Sequence, residues 1–209
     1  MTATLRMTAA QAMVKWLAVQ TNEDGDRFVD GIWGIFGHGN VAGLGEALYH
    51  VQDVFPTWRG QNEQGMALAA TAFNKAMRRR QIMTATSSIG PGATNMVTAA
   101  GVAHANRLPV LLISGDTYVN RLPDPVLQQV EHFGNPSITV NDAFKPVTRY
   151  WDRITRPEQI LQSLPHAVAT LLDPADCGPV MIGLCQDTQA EAFDYPEMFF
   201  AERVHEPRR

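Results

Sequence analysis

Residues 60–116 read GQNEQGMALAATAFNKAMRRRQIMTATSSIGPGATNMVTAAGVAHANRLPVLLISGD, and this stretch decides the fold. Its first part is alanine-rich with a helical period over 63–79 and ends on Arg78-Arg79-Arg80, cations that complement the carbonyl end of a helix. A short β-prone run at 81–86 follows, then a loop from Ser87 to Gly92, then a second helical run to about Asn106. The segment 108–114, LPVLLIS, has no polar face, as expected of a strand covered by helices on both sides. Helix and strand alternating in this way predict βαβ units and a parallel sheet.

Working outward, the same alternation continues. Upstream lie an apolar strand at 31–36, a turn at Gly37-His38-Gly39, a helix over 41–50 and a short strand at 57–59 that runs into the helix starting at Glu63. Thr8 can cap a first helix reaching about Gln20, with Ala12, Trp16 and Val19 on one face. Downstream, 116–141 is a loop-rich region broken by Pro123, Pro125 and Pro136; a strand at 147–150, a helix at 157–171 and a strand at 179–184 follow. The expected architecture is α/β: a single doubly wound, mostly parallel six-stranded sheet with helices on both faces. Residues 1–186 form this domain, while 187–209 are polar and aromatic without a clear period and read as an exit segment toward downstream domains.

Composition narrows the functional classes. A chain of 209 residues can bury roughly 70% of its unfolded surface, and 45% hydrophobic with 18% charged residues is an ordinary globular balance. The net charge of −4 comes from interspersed acids and bases, so no nucleic-acid partner is expected. Cys177 and Cys185 show neither zinc-ligand spacing nor a disulfide framework. The acidic loop 22–27 resembles half a calcium loop, but the remaining ligands do not follow. The N-terminus lacks a signal-peptide core, and no run nears the ~20 apolar residues of a membrane span, so a soluble cytoplasmic protein is expected.

Four loops at strand ends carry the candidate chemistry: Gly37-His38-Gly39, Gly60-Gln61-Asn62-Glu63, Ser87 to Asn95, and Ser114-Gly115-Asp116. Ligands of open α/β sheets sit at the carboxyl ends of strands, where helix N-termini offer free N–H groups and glycine allows close approach. Singly, each is an ordinary turn. Glu63 at a helix start gains about 0.3–1 kcal/mol from the macrodipole with no further role.

Together they are specific. An E-x-x-A helix start, then GPGATN, then a parallel strand ending in I-S-G occur here in order and at matching spacing. In this the chain resembles the pyrimidine-binding domain of the acetohydroxyacid synthase-like thiamine diphosphate superfamily, from about Thr8 to Gly183. Within it, IFGHGNVAGLGEAL, GQNEQGMALAA, PDPVLQQVEHF and DAFKPVTRYWDRITRPEQI resemble a hydrolase branch that opens a cyclic 1,2-dione in myo-inositol catabolism. The histidine of Gly37-His38-Gly39 stands where most superfamily relatives carry a proline-containing turn.

The resemblance implies thiamine diphosphate as cofactor, with Glu63 as the catalytic carboxylate bonded to N1′ of its aminopyrimidine. Aspartate would fall about one methylene short there, and glutamine could not exchange the proton. It further implies that Ser88, Pro91 and Asn95 line the pyrimidine side and that His38 and Gly39 approach from the neighbouring loop. Gln128 or Gln129 would sit with His38 near a small-molecule substrate. Synthases and 2-keto acid decarboxylases of the same superfamily are an alternative, and so is a non-catalytic binding or assembly module.

Superfamily members hold the diphosphate and Mg²⁺ through Gly-Asp-Gly and a downstream asparagine. Gly115-Asp116-Thr117 with Asn141 imitates that spacing, but a threonine fills the third position and the interval is proline-broken. The metal is therefore assigned to a separate domain, with no metal ligands among these residues. The resemblance also implies that a second subunit's diphosphate-binding domain completes the site in a homodimer or homotetramer, and that this chain alone is inactive.

Overall fold

Thr8 makes a reciprocal capping box with Gln11, and the N-terminus folds from that point. A strand β1 (Thr4–Thr8) leads into α1 (Ala9–Ala18), whose Ala9, Met13, Trp16 and Leu17 are buried. The computed structural model describes residues 3–207, so the outermost residues of the 1–186 and 187–209 division lie outside the described residues. After a short β2 (Thr21–Asn22) come β3 (Val29–Gly34), a π turn at Val41–Gly45 continuing into α2 (Glu46–Tyr49), and β4 (Thr57–Arg59). The centre of the chain is α3 (Glu63–Ala76), β5 (Ile82–Ser87), α4 (Pro91–Asn95), α5 (Val97–Asn106) and β6 (Val110–Asp116). It closes with β7 (Tyr150–Ile154), α6 (Ile160–Leu172), β8 (Pro179–Cys185), α7 (Gln186–Ala190), β9 (Ala192–Pro196) and β10 (Val204–His205).

Six strands form one sheet in the order β4-β3-β5-β6-β8-β7, and every pairing is parallel. Strand side chains alternate between faces, and this sorts the core into two. Leu111, Ile113, Val180 and Ile182 pack with α1, α2 and α6 on one face. Val110, Leu112 and Met181 pack with α3 and α5 on the other. The doubly wound α/β architecture expected from the sequence is therefore present, with helices on both faces.

The strand order also fixes where a ligand can enter. From β3 the chain crosses to β4 at the edge by way of α2, then returns to β5 on the other side of β3. The connections leaving β3 and β5 therefore go to opposite faces, as Leu44 and Ala47 join the first core while Ala93 and Met96 join the second. Such a reversal opens a crevice beyond the carboxyl ends of the two strands.

Two segments differ from the sequence reading. The strand expected at 147–150 is preceded by a 3-10 helix, Val140–Val147, which Thr139 opens by a capping box with Asp142. Pro146 lies inside it, and strand geometry begins only at Tyr150. The polar segment after 186 folds back onto the domain. Its β9 pairs antiparallel with β1, and Tyr195 is buried with its hydroxyl donating to the Pro157 carbonyl at 2.9 Å. Phe199 stacks on Trp16 at 5.9 Å between ring centroids.

Candidate functional site

The crevice between β3 and β5 is closed at its floor by direct bonds between the two loops. The Gly39 N–H donates to Ser88 Oγ at 3.1 Å. Gly115, at the end of β6, packs so tightly on the Gly39 carbonyl that a Cβ at Gly115 would collide with it. Asn40 braces the turn from inside: its Oδ1 accepts from the Gly37 N–H at 3.0 Å, and its Nδ2 donates to the Ile35 carbonyl at 3.2 Å and to Thr86 Oγ1 at 3.3 Å. His38 is thus carried between two glycines whose backbone is bonded, half-buried, and among the described residues its Nε2 is buried without a hydrogen-bond partner.

Glu63 enters from the next loop. The Asn62 side chain accepts from the Gly65 N–H at 2.9 Å, and this cap makes Glu63 the first residue of α3. The carboxylate faces α4: Glu63 Oε2 accepts from Asn95 Nδ2 at 2.8 Å. Glu63 Oε1 lies toward Gly92, where a Cβ would stand only 3.3 Å from it. The motif residues Glu63, Gly92 and Asn95 thereby meet across 32 residues of chain, between two helix ends. Pro91 occupies the first turn of α4, and Gly90 before it has φ +70°, a conformation open to glycine at little cost.

Residues 7–135 match the family model described as thiamine pyrophosphate enzyme, N-terminal TPP binding domain. The chain belongs to this family. Over 209 residues it is 56% identical to a 3D-(3,5/4)-trihydroxycyclohexane-1,2-dione hydrolase of Geobacillus thermodenitrificans (strain NG80-2), covering 99% of this chain and 33% of that protein. Proteins of the same name from Clostridium perfringens (strain 13 / Type A) and Shouchella clausii (strain KSM-K16) are 55% and 53% identical, covering 96% and 98% of this chain and 32% and 33% of theirs. The chain spans about a third of the length of the curated relatives it matches.

A thiamine pyrophosphate enzyme needs an acid, a donor and a close backbone at the aminopyrimidine, and the residues present fit. Glu63 supplies a carboxylate with Oε1 bonded to no protein donor among the described residues, and Asn95 fixes the other oxygen. Ser88 and Gly39 sit together at the crevice, and the His38 imidazole has an unspent nitrogen. Pro91 is exposed at the rim.

The two glutamines separate. Gln128 is exposed, with φ +66°, and its carbonyl packs on Gly90 so closely that a Cβ at Gly90 would collide with it. Gln129 is fully buried with its amide engaged: oriented to suit its neighbours, it donates to Asp124 at 3.2 Å and Glu131 at 3.1 Å and accepts from Gln186 at 2.8 Å. The structure therefore puts Gln128 beside the GPG loop and gives Gln129 the work of holding the 117–139 segment. Asp187 holds the same segment by accepting from the Val119 and Asn120 N–H groups at 3.0 and 3.2 Å.

Asp116 and Asn141, which imitate the metal motif, have other tasks. Asp116 is fully buried, and its Oδ2 accepts from Arg153 Nε at 2.9 Å. Arg153 also donates to Thr139 Oγ1 at 2.7 Å and Asp142 Oδ2 at 2.6 Å. Burial alone would lower the Arg153 pKa, but Asp116 and Asp142 outweigh it and hold it above its ordinary value. Burial would raise the Asp142 carboxyl, yet hydrogen bonds from Lys145, the Thr139 backbone and Arg153 keep it below. Asn141 bridges Ser114 Oγ at 2.9 Å and the Gly115 carbonyl at 2.9 Å. Among the described residues no group of three or more His, Cys, Asp or Glu is placed to hold a metal.

Sequence reasoning missed Asn40 and Gln189. Asn40 follows the quoted turn directly, and an asparagine bonding its own turn is a known signal that could have found it. Gln189 gave none, because it meets Gly39 across 150 residues.

Proposed function

We propose that these residues are the pyrimidine-binding part of a thiamine diphosphate-dependent hydrolase that opens trihydroxycyclohexane-1,2-dione to 5-deoxyglucuronate in myo-inositol catabolism. The observation that carries the reading is Glu63, set at the start of α3 and held by Asn95 at 2.8 Å with one oxygen free to meet a ligand. The substrate is supported by identity of 53–56% across nearly the whole chain to proteins named for that dione.

In this reading Glu63 would share a proton with the aminopyrimidine N1′ of the bound cofactor, while Asn95 holds its other oxygen. Bound thiamine diphosphate supplies a carbon acid and an electron sink for breaking a bond beside a carbonyl. His38 Nε2 and Gln128 would meet the substrate. Overall, one water adds across the bond between the two carbonyl carbons; one becomes a carboxylate and the other an aldehyde, with no net oxidation. The diphosphate and Mg²⁺ are assigned to a domain outside these residues, since Asp116 and Asn141 are committed elsewhere. A second subunit would supply that domain in a homodimer or homotetramer. A cytoplasmic location is consistent with the described residues having no helix long and apolar enough to cross a membrane.

The test is the full-length protein with thiamine diphosphate and Mg²⁺, offered the cyclic dione and, separately, pyruvate. Formation of a deoxyuronic acid with pyruvate untouched is expected. Consumption of pyruvate with the dione untouched would move the chain to the synthase or decarboxylase branches, and inertness to both would favour a binding module.

A further inference from the structure

Gln189 lies in a polar stretch, yet it is only 3% exposed. Its carboxamide is fully used. Nε2 donates to the Gly39 carbonyl at 2.7 Å and the Leu184 carbonyl at 3.0 Å, while Oε1 accepts from the Leu44 N–H at 3.1 Å. A neutral amide supplies two donors and an acceptor at once; neither a carboxylate nor an apolar chain of the same size does.

These partners belong to three different places. Leu184 is near the end of β8, a central strand buried along its whole length. Leu44 lies in the π turn at Val41–Gly45, and Gly39 is the residue after His38. Gln189 therefore ties the His38 loop to the rigid sheet. From the opposite side Ser88 Oγ receives the Gly39 N–H, so both polar atoms of Gly39 are fixed, and Asn40 fixes the Gly37 N–H. The glycines on either side of His38 thus have both backbone polar groups bonded, while among the described residues the His38 Nε2 is buried without a partner. A side chain kept unpaired on an over-determined backbone is what a preorganised ligand contact requires.

We infer that Gln189 is a positioning residue that holds the His38–Gly39 loop in the crevice between β3 and β5 and so aims His38 at the substrate. The clamp stands on geometry alone; the identity of what His38 meets rests on the hydrolase reading. Misplacement of a contact by ~1 Å can cost about 100-fold in rate, so a fall in kcat of about 10- to 100-fold is expected.

The experiment uses the full-length protein with Gln189→Met, which keeps the volume, and Gln189→Glu, which keeps the acceptor. Hydrogen exchange over residues 37–45 should speed up at least about ten-fold in both, because methionine loses all three bonds and the carboxylate loses the two that Nε2 donates, with 110–116 unchanged. In the glutamate variant protection should return as pH falls, because the protonated acid again donates to the Gly39 carbonyl. With the dione, kcat should fall more than KM rises. Wild-type exchange rates at 37–45, or a loosened loop with unchanged kcat, would overturn the inference. So would failure of both variants to fold, which would make Gln189 a residue of the fold. If the wild-type protein leaves the dione intact, the hydrolase reading fails, and the exchange rates with their pH recovery still decide the clamp.

Discussion

Replacing Arg153 with methionine isolates the buried charge of Asp116. The Asp116 side chain is 0% exposed and that of Arg153 18%, so the pair is largely shielded from water. Removing one partner of such a pair leaves an uncompensated charge and costs ~3–5 kcal/mol. Asp142 suffers less, because Lys145 still bonds it at 2.6 Å. With a urea slope of about 2 kcal/mol/M, the unfolding midpoint should drop by roughly 1.5–2.5 M. Tryptophan fluorescence is a suitable readout, since Arg153 also lies 4.9 Å from the Trp151 ring centroid. Adding Asp116→Asn to the same protein removes the stranded charge and should recover more than half of the loss. A single-variant loss under about 1 kcal/mol, or a double variant no better than the single, would refute the view that Asp116 is a structural ion-pair partner. A midpoint raised by Mg²⁺ in the wild type would instead mark Asp116 as a metal ligand.

Two further outcomes follow from the C-terminal segment. Burial, with Arg203 adding to it, pulls the His205 pKa from 6.5 to about 4, and its Nε2 lies 2.8 Å from Gln20 Oε1. A folded pKa below the unfolded one means that the neutral ring is favoured, so this stabilisation is complete above pH 6.5 and is lost as pH falls toward 4. Stability measured across that window should decline more steeply in the wild type than in His205→Phe; equal slopes would exclude the coupling. Tyr195→Phe leaves the Pro157 carbonyl without its 2.9 Å partner in a buried site and should cost ~1–2 kcal/mol. At about 2–4 °C per kcal/mol for a domain of this size, an unmoved Tm would show that this bond adds nothing to the domain.

The elements that sequence reading reached are those whose signal is local. LPVLLIS is apolar on both faces because helices cover both, and β6 occupies Val110–Asp116. Glu63, Ser88 and Asn95 are named through the resemblance, which rests on motifs lying in one continuous stretch; each loop alone reads as an ordinary turn. Apart from the helix at 140–147, the failures share a cause: long-range pairing replaced local pattern. β9 carries charged and aromatic residues, and its strand geometry comes from β1, 188 residues away at the Arg6–Asp194 pair. The helix at 140–147 carries Pro146 inside it and depends on the Thr139 cap. Gln186, Asp187 and Gln189 look like solvated residues, and each is engaged by a loop that no local window contains.

The proposed role of Glu63 is tested most directly by the rate at which the C2 proton of bound thiamine diphosphate exchanges with deuterium in the full-length protein and in Glu63→Gln. Glutamine keeps the shape and still offers an oxygen to Asn95, so cofactor binding should persist while proton sharing is lost. Exchange should slow by about 10²–10⁴-fold, the usual contribution of a positioned acid or base. Exchange at the wild-type rate, with the cofactor bound, would contradict the account.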